Sequence, residues 1–401
     1  MCLDTDPFVQ DYQPAAIHFG RGCVANLGAA VADRGLETVL VVTGTNVGAN
    51  PAVMDPITAG LDGRLADIFD KTTPEKRIET AYDVVDRYRE SGADAIVAVG
   101  SGSSLDIARF VQVLEGDPRP VEAIRKEIET NGVPAVPETD LVPVFNVPTT
   151  FAGADLSVAA AVTYPTEDGT RAETIPVDDA LMPTGVFYDP DLFETTPRGA
   201  LTGSAMNGFD KALECVYSRH ATPITDATAI RALQYLREAL PHLLTADEPA
   251  VMERAVAGML LAQYGVSRPE GYKLSVVHAF GHGLRNEFGL QQGIAHAVMV
   301  PHVLRLLFDH ADGRRGALAD GLLQGEQPAD PDATATAVID AVRDIRDGLE
   351  LPTQLRELSG TDRSGLRRVA QLTHDDPFMD GTPPGFDPSV DDLEATLNDA
   401  W

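Results

Sequence analysis

The chain has 401 residues, long enough for two hydrophobic cores rather than one. Its 61 acidic and 31 basic side chains leave a formal charge of −30, which repels nucleic acid and anionic membrane surfaces and excludes both as expected partners. Lysine supplies only five of the basic residues, Lys71, Lys76, Lys126, Lys211 and Lys273. An acid-rich, lysine-poor surface suits solubility at high salt, where repulsion is screened within about 3 Å at 1 M, so a salt-loving source is expected, with an ordinary acidic cytosolic protein as the alternative. Cys2, Cys23 and Cys215 show no CxxC spacing and no paired framework, which argues against a zinc ribbon or disulfide scaffold. The segment MCLDTDPFVQDYQ lacks a basic n-region and an apolar h-region, and no apolar run is long enough to span a membrane, so a cytoplasmic protein is expected.

In chain order, TVLVVTG (Thr38 to Gly44) reads as a strand and Glu79 to Glu90 as an amphipathic helix. AIVAVGSGS (Ala95 to Ser103) is a second strand running into a Gly/Ser turn, followed by a helix from Leu105; a polar segment, Glu115 to Thr139, separates these from the apolar run LVPVFNVPTT (Leu141 to Thr150). Alternating strands and helices predict a parallel sheet covered on both faces, and this half reads as nucleotide-binding. The last strand-like run is VFYDP (Val186 to Pro190). Beyond it helical periodicity dominates, over Asp226 to Leu240, Ala250 to Gln263, Ser275 to Phe288, Ala295 to His310 and Thr334 to Leu349. The boundary is expected between Asp189 and Thr202, giving an α/β domain over 1–190 and a helical domain over 191–401. Asp375 to Asp387, rich in Asp, Pro and Gly, reads as a surface loop or frayed end.

The turn Gly100 to Ser104 can let backbone N–H groups approach a phosphate at a helix start, although such turns also serve as plain connections. It resembles the GGGSxxDxAK element of the iron-dependent (group III) alcohol dehydrogenases, through Gly100, Gly102, Ser103, Asp106 and Ala108, with Ser101 and Arg109 as close substitutes. FGRG (Phe19 to Gly22) resembles that family's N-terminal strand and turn. VPTTFAGADLS (Val147 to Ser157) resembles its PTT loop in the shorter form of maleylacetate reductases, with Asp155 where that branch has Glu. VHAFGHGLRNEFGLQQGIAHAVMVPHV (Val277 to Val303) resembles its C-terminal signature. The resemblance implies a Rossmann-like α/β domain followed by an all-α domain, as in dehydroquinate synthase. It also implies an interdomain active site, with NAD or NADP held by Gly44, Gly100, Ser101, Gly102, Ser103, Asp106, Thr149 and Thr150. Gly44 stands where NAD-preferring members carry an Asp. With no carboxylate there to repel a 2′-phosphate, NADP is expected to be tolerated or preferred.

Metal binding in that family uses one Asp and three His. Laid on it without a gap, AMNGFDKALECVYS (Ala205 to Ser218) and the His stretch place Asn207, Lys211, His278 and Gln292 at the four positions; a register shifted by three would use Asp210 and Glu214 instead. Two amides, an ammonium and one imidazole are poor donors for a divalent ion, so a metal-independent member is expected. Two other readings stay open: an ion held by His278 with Asp210 or Glu214, and a purely structural polar cluster. His278 and His282, four apart on one helix, share a face. His282 is the expected proton relay, Lys211 the electrophile or else a salt-bridge partner of Asp210 or Glu214, and His278 the group orienting the substrate oxygen. His296 could face the cleft or the core, and His302 reads as structural. Arg268, Lys273 and Arg285 are candidates for an anionic substrate group or for solvated salt bridges. The expected activity is NAD(P)-dependent interconversion of a small alcohol and its aldehyde or ketone, with a dehydroquinate synthase-type lyase or a non-catalytic nucleotide-binding relative as alternatives. Homo-oligomerisation is left open.

Overall fold

The computed structural model describes residues 15–166, 169–245, 248–267, 273–323, 325 and 327–401; Cys2 and Arg268 lie outside them. The chain divides into two compact units between Thr196 and Pro197.

The first unit is built on eight strands: β1 (Ala16–Phe19), β2 (Val39–Gly44), β3 (Leu65–Thr72), β4 (Ala95–Gly100), β5 (Val144–Pro148), β6 (Val162–Pro165), β7 (Arg171–Thr174) and β8 (Gly185–Tyr188). Six form one parallel sheet in the order β1-β8-β5-β4-β2-β3, and β6 pairs antiparallel with β7. The two-residue period of a strand sorts its side chains between two cores. Leu40, Val42, Ile96 and Ala98 pack on one face with the helices Ile78–Ser91 and Gly102–Gly116, while Val39, Val41, Val97 and Val99 pack on the other with Val53 and Ile57. β4 is buried along its whole length, which explains its unbroken apolar run.

Three features differ from the sequence expectations. β3 carries Asp67, Asp70 and Lys71 among its apolar residues because it is an edge strand with one wet side. The polar segment 115–139 contains a helix, Val121–Asn131, anchored by buried Ile124 and Ile128 one turn apart. The segment 375–387 is docked rather than frayed: it opens the 3-10 turn Pro377–Gly381, and Thr382 and Phe386 are buried.

The second unit is helical. Its first helix, Arg198–Tyr217, is buried on nearly all sides, so it shows no apolar stripe in sequence. Packed on it are Pro223–Ala239, Pro249–Val266, Val276–Phe288, Gln292–His310 and Arg315–Leu322, with Pro331–Gly348 and Leu366–His374 packed on these in turn. Among the described residues no helix is long and apolar enough to cross a membrane.

One buried ion cluster ties the first unit's loops to the helix Gly102–Gly116. Arg109, 1 % exposed, donates to Asp106 (3.0 Å) and to the carbonyl oxygens of Ala159 (2.8 Å) and Ala154 (2.6 Å), and Lys76 Nζ donates to Asp106 at 2.5 Å. Removing a buried charge while leaving its partner is costly. Arg109→Met is expected to lower unfolding free energy by about 3–5 kcal/mol in urea denaturation; a loss near zero contradicts this role.

Candidate active site

In the α/β unit, β3 joins β2 on one side and β4 joins it on the other. The C-terminal ends of β2 and β4 therefore flank the point where strand order reverses, the crevice in which open parallel sheets take ligands. Both ends are glycine. Gly100 has φ +127°, a conformation that disfavours side chains, and the helix Gly102–Gly116 starts directly after it. Ser101, its N-cap, makes no side-chain capping bond, so no cap side chain claims the first-turn N–H groups, and they can meet a phosphate. Ser101 Oγ and Ser103 Oγ lie 3.1 Å apart at the same turn. The PTT loop is tied to it, since Thr149 N–H donates to Gly100 O at 3.0 Å. Thr149 is buried and Thr150 half-buried. A Cβ on Gly44 would come within 3.2 Å of Thr72 O. Asp106 stands apart from the other cofactor candidates, because its carboxylate is engaged by Lys76 and Arg109. Asp155 likewise faces inward, accepting from the buried Tyr188 hydroxyl.

In the helical unit the chemistry gathers on the helix Val276–Phe288. Ser275 supplies no side-chain cap to it. Glu214, fully buried on the Arg198–Tyr217 helix, caps it from outside: Oε2 accepts from Ser275 N–H (3.0 Å), and Oε1 accepts from the N–H groups of Val277 (2.7 Å) and His278 (3.3 Å). The carboxylate also meets His278 Nδ1 at 2.5 Å and accepts from the Tyr217 hydroxyl at 3.2 Å. Burial raises the Glu214 pKa to about 7, against the opposing pull of those N–H bonds. Burial, then the charges of Lys211 and His282, holds the His278 pKa well below the usual imidazole range, so His278 is a neutral ring. Its buried Nε2 has no hydrogen-bond partner among the described residues.

His296 resolves to the core, fully buried, with Nδ1 2.7 Å from Asp210 Oδ2 in a close approach that lacks hydrogen-bond alignment. Burial raises the Asp210 pKa and lowers that of His296, so both tend to neutral forms. The His278 and His296 rings lie edge to face at 4.5 Å. Lys211 does not take Asp210 or Glu214 as the expected salt bridge; its Nζ donates to Gln263 Oε1 at 3.0 Å. His282, a quarter exposed, meets Asp376 Oδ2 through Nδ1 at 2.8 Å. His302 is half-buried, Lys273 is buried and Arg285 is half-buried. Asp376 was missed in sequence: it lies 94 residues from His282, and only its Asp-Pro turn signature was visible.

Residues 14–190 match the model for iron-containing alcohol dehydrogenases and residues 201–401 match that for the C-terminal domain of the same proteins. The chain belongs to the iron-containing alcohol dehydrogenase family. It is 28 % identical to the NAD-dependent methanol dehydrogenase of Bacillus methanolicus, over 92 % of this chain and 94 % of that one. To the lactaldehyde reductase of Escherichia coli K12 it is 25 % identical, over 96 % and 97 %. Its fold matches a solved 1,3-propanediol oxidoreductase at a TM-score of 0.88 and 22 % identity, over 98 % of this chain and 100 % of that one. The protein is therefore an oxidoreductase of the alcohol dehydrogenase kind.

Membership corrects the expectation of metal independence, since the family is an iron-containing one. The side chains at the four positions inferred from the resemblance do not fit an iron ion. Asn207 and Gln292 are amides, Lys211 is engaged as a donor, and His278 has one nitrogen on Glu214. Among the described residues no three His, Cys, Asp or Glu side chains are grouped to hold a metal. One turn beyond Asn207 and Gln292, on the same two helices, ionisable groups return as Asp210 and His296.

A carboxyl whose pKa rises from 4.5 to about 7 on folding contributes stability that is full below 4.5 and lost as the pH rises to about 7. The lowered histidines act oppositely, contributing above the ordinary imidazole pKa and losing that contribution as the pH falls. Glu214→Gln removes the first effect. The advantage in unfolding free energy of the natural protein over Glu214→Gln is expected to shrink by about 3 kcal/mol between pH 4.5 and 7. Urea denaturation at several pH values measures it, and a pH-independent difference contradicts the assignment.

Proposed function

We propose that the protein reduces a small aldehyde or ketone, and oxidises the corresponding alcohol, with NADP(H) accepted as well as NAD(H). The observation that carries the cofactor half is the pair of glycine-ended strands, β2 and β4, at the reversal of strand order, with the uncapped helix start after Gly100. Gly100 to Ser103 would hold the pyrophosphate, with Thr149 and Thr150 beside it. A bound reduced nicotinamide supplies the hydride. Gly44 itself carries no carboxylate, so a 2′-phosphate meets no repulsion from that position.

The helical unit supplies the proton and the charge. Lys211, part-buried, carries a cation suited to stabilising negative charge developing on the substrate oxygen. His282 gives the proton in reduction and takes it in oxidation, since it is a quarter exposed and bonded through Nδ1 to a carboxylate. His278, neutral and held by Glu214, can present an Nε2 lone pair to the alcohol hydroxyl.

Steady net consumption of NADPH with a panel of small aldehydes tests the reading, and turnover with no net cofactor change contradicts it. Lys211→Met is expected to lower kcat/KM about a hundredfold or more, and unchanged turnover removes Lys211 from the reaction. Gly44→Asp is expected to raise the KM for NADPH at least about tenfold relative to NADH. A constant ratio of the two contradicts the cofactor assignment.

A further inference from the structure

His282 donates a proton directionally only if one ring nitrogen is held, and the group that holds it lies in the segment expected to be a surface loop or frayed end. Asp376 stands between the helix Leu366–His374 and the turn Pro377–Gly381. Its Oδ1 accepts the Phe378 N–H at 2.9 Å, and its own N–H and C=O are bonded to Thr373 O (3.2 Å) and Met379 N (3.0 Å). The carboxylate is therefore fixed by its own turn before it meets His282, and Oδ2 is left to receive Nδ1 at 2.8 Å. The two helices that bring these groups together approach closely: a Cβ on Gly283 would lie 2.9 Å from Thr373 Oγ1 and 3.1 Å from Val369 O. The Phe378 ring stands 5.0 Å from the His282 ring and 6.2 Å from that of His278.

We propose that Asp376 is the positioning residue for His282, holding it as the Nδ1–H tautomer so that Nε2 is the atom that exchanges a proton with substrate. The inference rests on the role given to His282 under the proposed function. A neutral imidazole carries one N–H, and its location is set by the bond the other element offers. A carboxylate accepts only, so it selects Nδ1–H, leaves a lone pair on Nε2, and stabilises the imidazolium when Nε2 takes a proton. In reduction, the imidazolium Nε2–H bond breaks as the proton passes to the alkoxide oxygen, and the ring returns to the Nδ1–H form. Oxidation of the alcohol reverses this transfer. Among the described residues, His278 on its own helix and His296 on Gln292–His310 also interact electrostatically with His282, and neither is an acid that could select the tautomer.

The test has two arms on the full-length protein. In the first, histidine-labelled protein is studied by 15N NMR, which reads the tautomer without any turnover. His282, assigned by its loss in His282→Asn, is expected as the Nδ1–H form in the natural protein and in Asp376→Glu, and as a mixture in Asp376→Asn. A predominant Nε2–H form in the natural protein, or no change in Asp376→Asn, overturns the proposal even if the protein reduces no aldehyde offered. In the second arm, Asp376→Asn is expected to lower kcat about a hundredfold with the KM for NADPH unchanged, to be largely rescued by Asp376→Glu, and to add nothing further in a His282→Asn background. Losses that multiply in the double variant, or a fall that tracks lost thermal stability, overturn it. A natural protein with the expected tautomer and no carbonyl reduction fails the proposed function alone.

Discussion

A carboxylate buried without compensation would be neutralised or expelled, and the helical unit is organised around the one at Glu214. The helix Val276–Phe288 begins without a capping side chain of its own, so its first N–H groups need an acceptor. Glu214 provides it from another helix, with its negative charge at the positive end of the helix dipole. The same oxygens fix His278 and receive Tyr217. One side chain thereby sets where the histidine helix starts, how it is rotated and which nitrogen of His278 stays available.

Close helix contacts make such long-range pairing workable. A Cβ on Gly293 would fall 1.8 Å from Gly203 O, so the helices Arg198–Tyr217 and Gln292–His310 touch as only glycine permits. That approach carries Asp210 to His296. Gly283 does the same between the histidine helix and Leu366–His374, ahead of Asp376. Carboxylates from two other helical-unit segments thus hold both histidines of the pair through Nδ1. Small residues at crossing points and acids one helix away form a single device.

At the four positions inferred from the resemblance, Asn207, Lys211, His278 and Gln292 do not make an iron-binding set, while Asp210 and His296 place ionisable groups one turn along the same helices. These groups are drawn toward neutral forms by burial, which lowers the cost of keeping them inside.

Much of this was legible in the sequence. The unbroken apolar runs of β2, β4 and β5 predicted buried parallel strands because both faces of that sheet are covered. The spacing of His278 and His282 placed both on one face because the helical repeat is local. The glycine-ended turn at Gly100 was visible for the same reason, its backbone requirement residing in one residue. Other elements were hidden: β3 by its wet edge, and the helix Arg198–Tyr217 by burial on nearly every side, which erases amphipathic periodicity. Which carboxylate meets which histidine was decided only by the fold. Glu214 and Asp376 lie 64 and 94 residues from the rings they hold, and no local pattern records a distance that two helix crossings create.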